Sequence, residues 1–161
     1  MVNLKLEILQ ELPFSSVEEE AFLNLLRTSD CLNRAFQQRI RGSGLTSTQY
    51  NVLRILRGAH PNSLACAAIG ERMIAAEPDI TRILGRLKRL KLVRQHGDRR
   101  DRRVVLTEIT ESGLQLLRNM DFVVQSSPKE LLGHMRRAEL TELIRLLELA
   151  RQSVAGEPPK E

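Results

Sequence analysis

Residues 92–109 break the pattern of everything around them. Leu92-Val93, then Val104, Val105, Leu106 and Ile109, are β-favouring runs, and between them stands His96-Gly97-Asp98-Arg99-Arg100-Asp101-Arg102-Arg103. The other long apolar series recur at three and four residues, which is the spacing of one helix face. The chain therefore reads as a helical frame interrupted by one two-stranded hairpin whose tip is long, polar and basic.

The helices announce themselves by their ends. Ser15 or Ser16 followed three residues later by Glu18 or Glu19 opens the first as a capping box, and Phe22, Leu25, Leu26, Leu32, Phe36 and Ile40 carry it to Gly42 and Gly44. Thr46 with Gln49 opens a second, carrying Val52, Leu53 and Leu56, and Gly58, His60, Pro61 and Asn62 break it. A short third helix is expected over 66–73, a turn at Ala75-Ala76, and a fourth helix from Pro78 to Leu90. After the hairpin, Thr110 caps a helix carrying Leu114, Leu116, Leu117, Met120 and Val124. Ser127-Pro128-Lys129-Glu130 then reads as the start of a last helix, apolar over so much of its circumference that it needs two partners. The proline-containing tail, 156–161, is expected to be disordered.

Charge says where the function lies. The net charge is +5 over 161 residues, but residues 46–109 hold 13 basic and 6 acidic side chains, while 1–45 and 110–161 each balance at −1. A basic middle between near-neutral ends suits a polyanion-binding module held by a frame. Apolar residues make up 42% and aromatic residues only 3%, so the core must be aliphatic, which suits packed helices. No apolar run reaches the ~20 residues that span a bilayer, and Met1–Phe14 lacks the plan of a signal peptide, so a cytoplasmic protein without membrane contact is expected. Cys31 and Cys66 fit no metal or redox spacing and read as buried free thiols; His60, His96 and His134 share no ligand spacing either. With no phosphate loop, nucleophile elbow or zinc motif, no catalytic residue, metal or cofactor is expected.

A short helix, a turn and a second helix form a helix-turn-helix unit, and the basic hairpin that follows sharpens it. A helix fits the major groove, and arginines on a hairpin beside it suit phosphates or a narrow minor groove. Arg82 and Arg86, four apart, share one helix face; Arg94, Arg99, Arg100, Arg102 and Arg103 fill the hairpin. Asp98 and Asp101 interrupt them and read as residues that orient the arginines or form turns.

These residues resemble the MarR family of winged-helix regulators over about 15–150. Leu45-Thr46 with Gln49, Val52 and Leu53 is similar to that family's first lobe helix. Asp79-Ile80-Thr81-Arg82-Ile83-Leu84 with Arg86-Leu87 is similar to its recognition helix, and Asp98, Asp101-Arg102-Arg103, Leu106, Thr110 and Gly113 to its wing and the helix start beyond. The resemblance implies a mainly α fold with a small β-hairpin wing. It implies one domain, with a DNA-binding lobe at about 46–109 and dimerisation helices at about 15–45 and 110–152. It also implies a homodimer on a near-palindromic double-stranded operator, most often as a repressor, with release by a small-molecule effector. By position it assigns DNA contact to Asp79, Thr81, Arg82 and Arg86 and places Arg102 and Arg103 in the wing, where the basic hairpin adds Arg99 and Arg100 as DNA-binding candidates. A candidate effector pocket falls at Phe22, Leu25 and Phe36. Two residues depart from the family pattern. Lys91 stands where glycine usually ends the recognition helix, so that either that turn is strained or the helix stops differently. Gly85 stands inside the helix, where it costs about 1 kcal/mol relative to alanine and leaves room for close approach to another backbone. The competing reading is a winged-helix adaptor that binds protein without reading DNA.

Overall fold

The structure is a computed structural model that describes residues 3–99, 101, 103–152 and 154. They form two compact units, one ending at Val124 and one beginning at Gln125. The first holds α1 (Leu4–Glu7), α2 (Val17–Ile40), α3 (Ser47–Ala59), β1 (Leu64–Ala65), α4 (Cys66–Gly70), α5 (Ile80–Arg89), β2 (Val93–Gly97) and β3 (Val105–Ile109). Helix α6 (Glu111–Leu132) runs from the first unit into the second, which also holds α7 (Arg137–Gln152).

The caps form as local chemistry demands. The Glu19 amide donates to Ser16 Oγ at 3.1 Å, opening α2. Thr46 and Gln49 make the reciprocal box of α3, with the Gln49 amide on Thr46 Oγ1 (3.2 Å) and the Thr46 amide on Gln49 Oε1 (2.9 Å). Gln37 ties α2 to this corner, accepting from the Ser47 amide at 2.6 Å and donating to the Leu45 carbonyl at 3.0 Å. Asp79, not Pro78, is the cap of α5, accepting from the Arg82 amide at 3.0 Å, so the helix starts two residues later than its proline suggests.

The core is aliphatic. Val52, Leu53 and Leu56 of α3 meet Ile69 of α4, Leu84 and Leu87 of α5, Val93 and Ile109 of the sheet and Leu117 of α6, all buried. Phe36 and Tyr50 pack edge to face with centroids 5.6 Å apart. Thr110 joins three elements: its hydroxyl donates to the Lys91 carbonyl (2.8 Å) and accepts from the Gly113 amide (3.1 Å). Position 113 has to be glycine, because a Cβ there would lie 2.4 Å from the Leu92 carbonyl oxygen.

Several expectations change. The hairpin is part of a three-stranded antiparallel sheet in the order β1-β3-β2, with Leu64 opposite Thr107 and Ala65 opposite Leu106. Helix α4 stops at Gly70 rather than Met73. No helix starts at Ser127-Pro128; α6 passes through both. The break falls at Gly133, where a Cβ would lie 2.2 Å from the Lys129 carbonyl oxygen, and the next helix opens with the Arg136 amide donating to Glu139 at 2.7 Å. Cys31 is exposed rather than buried, because it sits about 100° around α2 from Leu32. Cys66 is half-buried against the core. The tail at 156–161 lies outside the described residues. Among the described residues, no helix is long and apolar enough to cross a membrane.

Candidate nucleic-acid interface

Helix α5 is strongly two-sided. Leu84 and Leu87 are buried, with Ile80 and Ile83 packed beside them, while Thr81, Arg82, Arg86, Lys88 and Arg89 are exposed. The packing that fixes this orientation is tight on the inner side, where a Cβ at Gly70 would meet Ile80 Cδ1 at 3.0 Å. Arg27, Arg34, Arg57, Arg94, Arg118, Arg136 and Arg145 all pair with carboxylates. Among the described residues no carboxylate pairs with Arg82, Arg86, Lys88 or Arg89. A helix face of uncompensated cations lowers its own electrostatic energy by taking up a polyanion.

Of the residues singled out on α5, Arg82 and Arg86 lie together on this face. Thr81 lies beside them, its Oγ1 3.8 Å from Cys66 Sγ. Asp79 is at the helix mouth, its carboxylate engaged in the cap. Lys88 and Arg89 belong to the same face and were not singled out from sequence. For Arg89 the signal was there, since Arg82, Arg86 and Arg89 follow the i, i+4, i+7 spacing of one stripe, whereas Lys88 lies off that stripe, on the flank of the exposed face near Thr81.

The wing follows directly. Strands β2 and β3 pair from Val93 opposite Ile109 to Gly97 opposite Val105. At the tip the Asp98 amide donates to the Val104 carbonyl (2.9 Å) and the Val104 amide to the Asp101 carbonyl (3.0 Å). The Arg103 amide donates to Asp101 Oδ1 at 2.9 Å, so Asp101 makes the Asx-type turn that its position suggested. Arg99 and Arg103 are exposed at this tip; Arg100 and Arg102 lie outside the described residues. Arg94 is different: its Nε donates to Glu108 Oε1 at 2.6 Å, with His96 Nε2 3.5 Å from the same oxygen. The Arg94 hydrogen bond holds the Glu108 carboxyl below the usual carboxylate range.

The turn between α5 and β2 carries Lys91 at φ 60°, in the left-handed region where a side chain is strained and glycine is not. Of the two outcomes its sequence position leaves open, the strained turn is the one present.

A second feature of the same unit is a cavity of about 610 Å³ bounded by α2, α3 and the segment before α5. Leu26, Phe36, Tyr50, Arg54, Met73 and Ile74 are among its lining. Phe36 is thus at the cavity, whereas Phe22 and Leu25 are exposed on α2 and do not line it. Buried Asn51 bridges its floor: its Oδ1 accepts from Arg54 Nη2 at 3.0 Å, and its Nδ2 lies 3.5 Å from Met73 Sδ.

Comparison with known proteins agrees with this geometry. A family model described as a winged helix DNA-binding domain matches residues 45–113. The HTH-type transcriptional repressor NicR of Pseudomonas putida is 33% identical over 112 residues, 70% of this chain and 70% of that protein. Among solved structures, the MarR transcription factor of Planctomyces limnophilus is 39% identical with a TM-score of 0.65, covering 85% of this chain and 99% of that one. Bordetella bronchiseptica BpsR, whose DNA binding is regulated by 6-hydroxynicotinic acid, is 26% identical with a TM-score of 0.72, covering 82% and 98%. With its two-sided α5, its basic wing and these relatives, the chain belongs to the MarR family of transcriptional regulators that bind DNA through a winged helix.

Proposed function

We propose that the protein is a repressor that binds a near-palindromic operator as a homodimer and is released when a small molecule enters the cavity beside α5. The observation that carries this reading is the exposed face of α5, whose cations have no carboxylate partner among the described residues and are followed in the chain by a basic wing whose tip is turned by Asp101. In this reading α5 enters the major groove with Arg82 and Arg86 toward base edges, and Arg99 and Arg103 grip the backbone or minor groove alongside. Arg100 and Arg102, by position in the sequence, join them. Being named a repressor, NicR supports repression.

Dimerisation is supported by apolar side chains that each unit leaves uncovered. Leu6, Leu9, Val17 and Phe22 are exposed in the first, and Ile144, Leu146 and Leu149 in the second. A twofold dimer would place two recognition helices about one helical turn of DNA apart, roughly 34–36 Å.

Effector release is supported by where the cavity sits. Met73, Ile74, Ala75 and Glu77 line it, and this segment leads directly into the Asp79 cap of α5. A ligand that prefers one position of this segment shifts the pair of recognition helices toward or away from the spacing of the operator. Its chemistry is an apolar, ring-sized body against Leu26, Phe36 and Ile74 with an acceptor or anion near Arg54. BpsR's regulation by a hydroxylated pyridine acid supports the same class.

The test is capture of fragmented genomic DNA at ~0.15 M salt, where nonspecific attraction is weakened, followed by sequencing of what is retained. A short near-palindrome with half-sites one turn apart is expected. Retention without a shared motif contradicts operator recognition, and no retention favours the adaptor reading.

A further inference from the structure

Gly85 lies midway along α5, four residues after Thr81, three after Arg82, and three and four before Lys88 and Arg89. Residues three and four apart are neighbours on a helix surface, so Gly85 is the centre of the outward face and these four side chains surround it. In a helix interior only proline is a poorer choice.

Nothing within the fold asks for glycine here. Its φ is not in the left-handed region, unlike that of Gly44. A Cβ built at 85 would meet no atom within 4 Å, whereas at 113 and 133 it would collide with backbone oxygens. The fold thus requires glycine at those two positions and leaves position 85 open. The missing side chain faces outward, in the middle of a ring formed by a threonine and three cations. The space it leaves is open, on the side from which a polyanion would approach.

We propose that Gly85 is a specificity-determining residue: it lets the backbone of α5 settle against base edges on the floor of the major groove. The bare Cα forms a shallow seat, and the surrounding side chains reach past it. Close approach matters unequally to the two kinds of contact. Arginine and lysine stems are long and flexible, so contacts to phosphates survive a helix lifted slightly out of the groove. Contacts from Thr81 and Arg82 to base edges depend on position and orientation, and do not survive it. A methyl group added at 85 therefore removes sequence reading while sparing general attraction to DNA.

This inference rests on α5 being the reading helix, so its test carries a control for that reading. Full-length wild type, Gly85→Ala and Arg82→Ala are each titrated with the fragment selected by the wild type and with mixed-sequence DNA of equal length. The thermal unfolding of each protein is recorded alongside. Gly85→Ala is expected to melt no lower than the wild type, to bind mixed-sequence DNA within about twofold of it, and to bind the selected fragment about tenfold more weakly, the scale of one good base contact. Arg82→Ala is expected to lose its preference for the selected fragment as well.

If Gly85→Ala binds the selected fragment as tightly as the wild type while Arg82→Ala does not, the role of Gly85 is overturned and α5 remains the reader. If neither substitution matters, or the wild type prefers no fragment, α5 is not the reader and both claims fall. A lower melting temperature for Gly85→Ala overturns the premise that the fold leaves this position open.

Discussion

Asp101 shows why an acidic residue sits among arginines. Its carboxylate accepts from the Arg103 amide at 2.9 Å and its carbonyl from the Val104 amide at 3.0 Å, so it shapes the chain that presents Arg99 and Arg103. A hydrogen bond of this kind contributes about 0.5–1.5 kcal/mol. Asp101→Ala is therefore expected to weaken operator binding a few fold even though it makes the wing more positive, and tighter binding in a titration would contradict this role. Lys91 presents the opposite case, a residue at odds with its backbone. At φ 60° it carries a penalty that glycine avoids, offset in part by glycine's greater freedom in the unfolded chain. Lys91→Gly is expected to raise stability by about 0.5–1 kcal/mol, read as a higher melting temperature, and a lower one would show that the turn is not strained.

At the scale of elements, the wing is stitched together across its strands. Arg94 of β2 stands opposite Glu108 of β3, and their hydrogen bond keeps the Glu108 carboxyl below its ordinary value near about 4.3. A carboxyl with a depressed folded pKa contributes stability that is complete above its unfolded pKa and is lost as pH falls through the folded one. Acid unfolding curves are thus expected to show less loss of stability below about pH 4.3 for Glu108→Gln than for the wild type, and identical curves would contradict the pairing. How much of these elements the sequence reveals depends on how local their causes are. The caps at Ser16, Thr46 and Thr110 each need only three or four residues, and all were legible. Strand β1 is two residues long, too short for any alternation, and exists because β3 offers it an edge. The start signal at Ser127-Pro128 was local too, but a glycine that alone fits beside the Lys129 carbonyl placed the break further on. On α2 the apolar series was visible, yet which members reach the cavity depends on α3 and the segment before α5. Hence Leu26 lines it and Phe22 and Leu25 do not.

Across the whole molecule, charge is divided by task. Among the described residues, arginines such as Arg57 and Arg94 answer carboxylates within the fold, while Arg82, Arg86 and Arg89 of α5 and Arg99 and Arg103 of the wing are exposed to solvent. Binding that rests on such cations weakens steeply with salt, and each phosphate contact contributes about 0.9 to the slope of log affinity against log salt. Arg99→Ala is expected to lower that slope by about 1 per protomer and to weaken all sequences alike, whereas a change confined to one base position would make Arg99 a base reader. The charge division was legible in the basic stretch 46–109, and pairs such as Arg136 with Glu139 follow from helix spacing, but a pair such as Arg57 and Asp121, 2.7 Å apart, joins residues far apart along the chain and was not legible. The central claim is that α5 and the wing together form the DNA-binding surface. Amide hydrogen exchange, followed by mass spectrometry with and without the selected operator, tests it most directly. Slowed exchange concentrated in peptides covering 79–91 and 94–105 is the predicted result. Slowed exchange confined to other parts of the chain, with these two segments unchanged, would contradict the account.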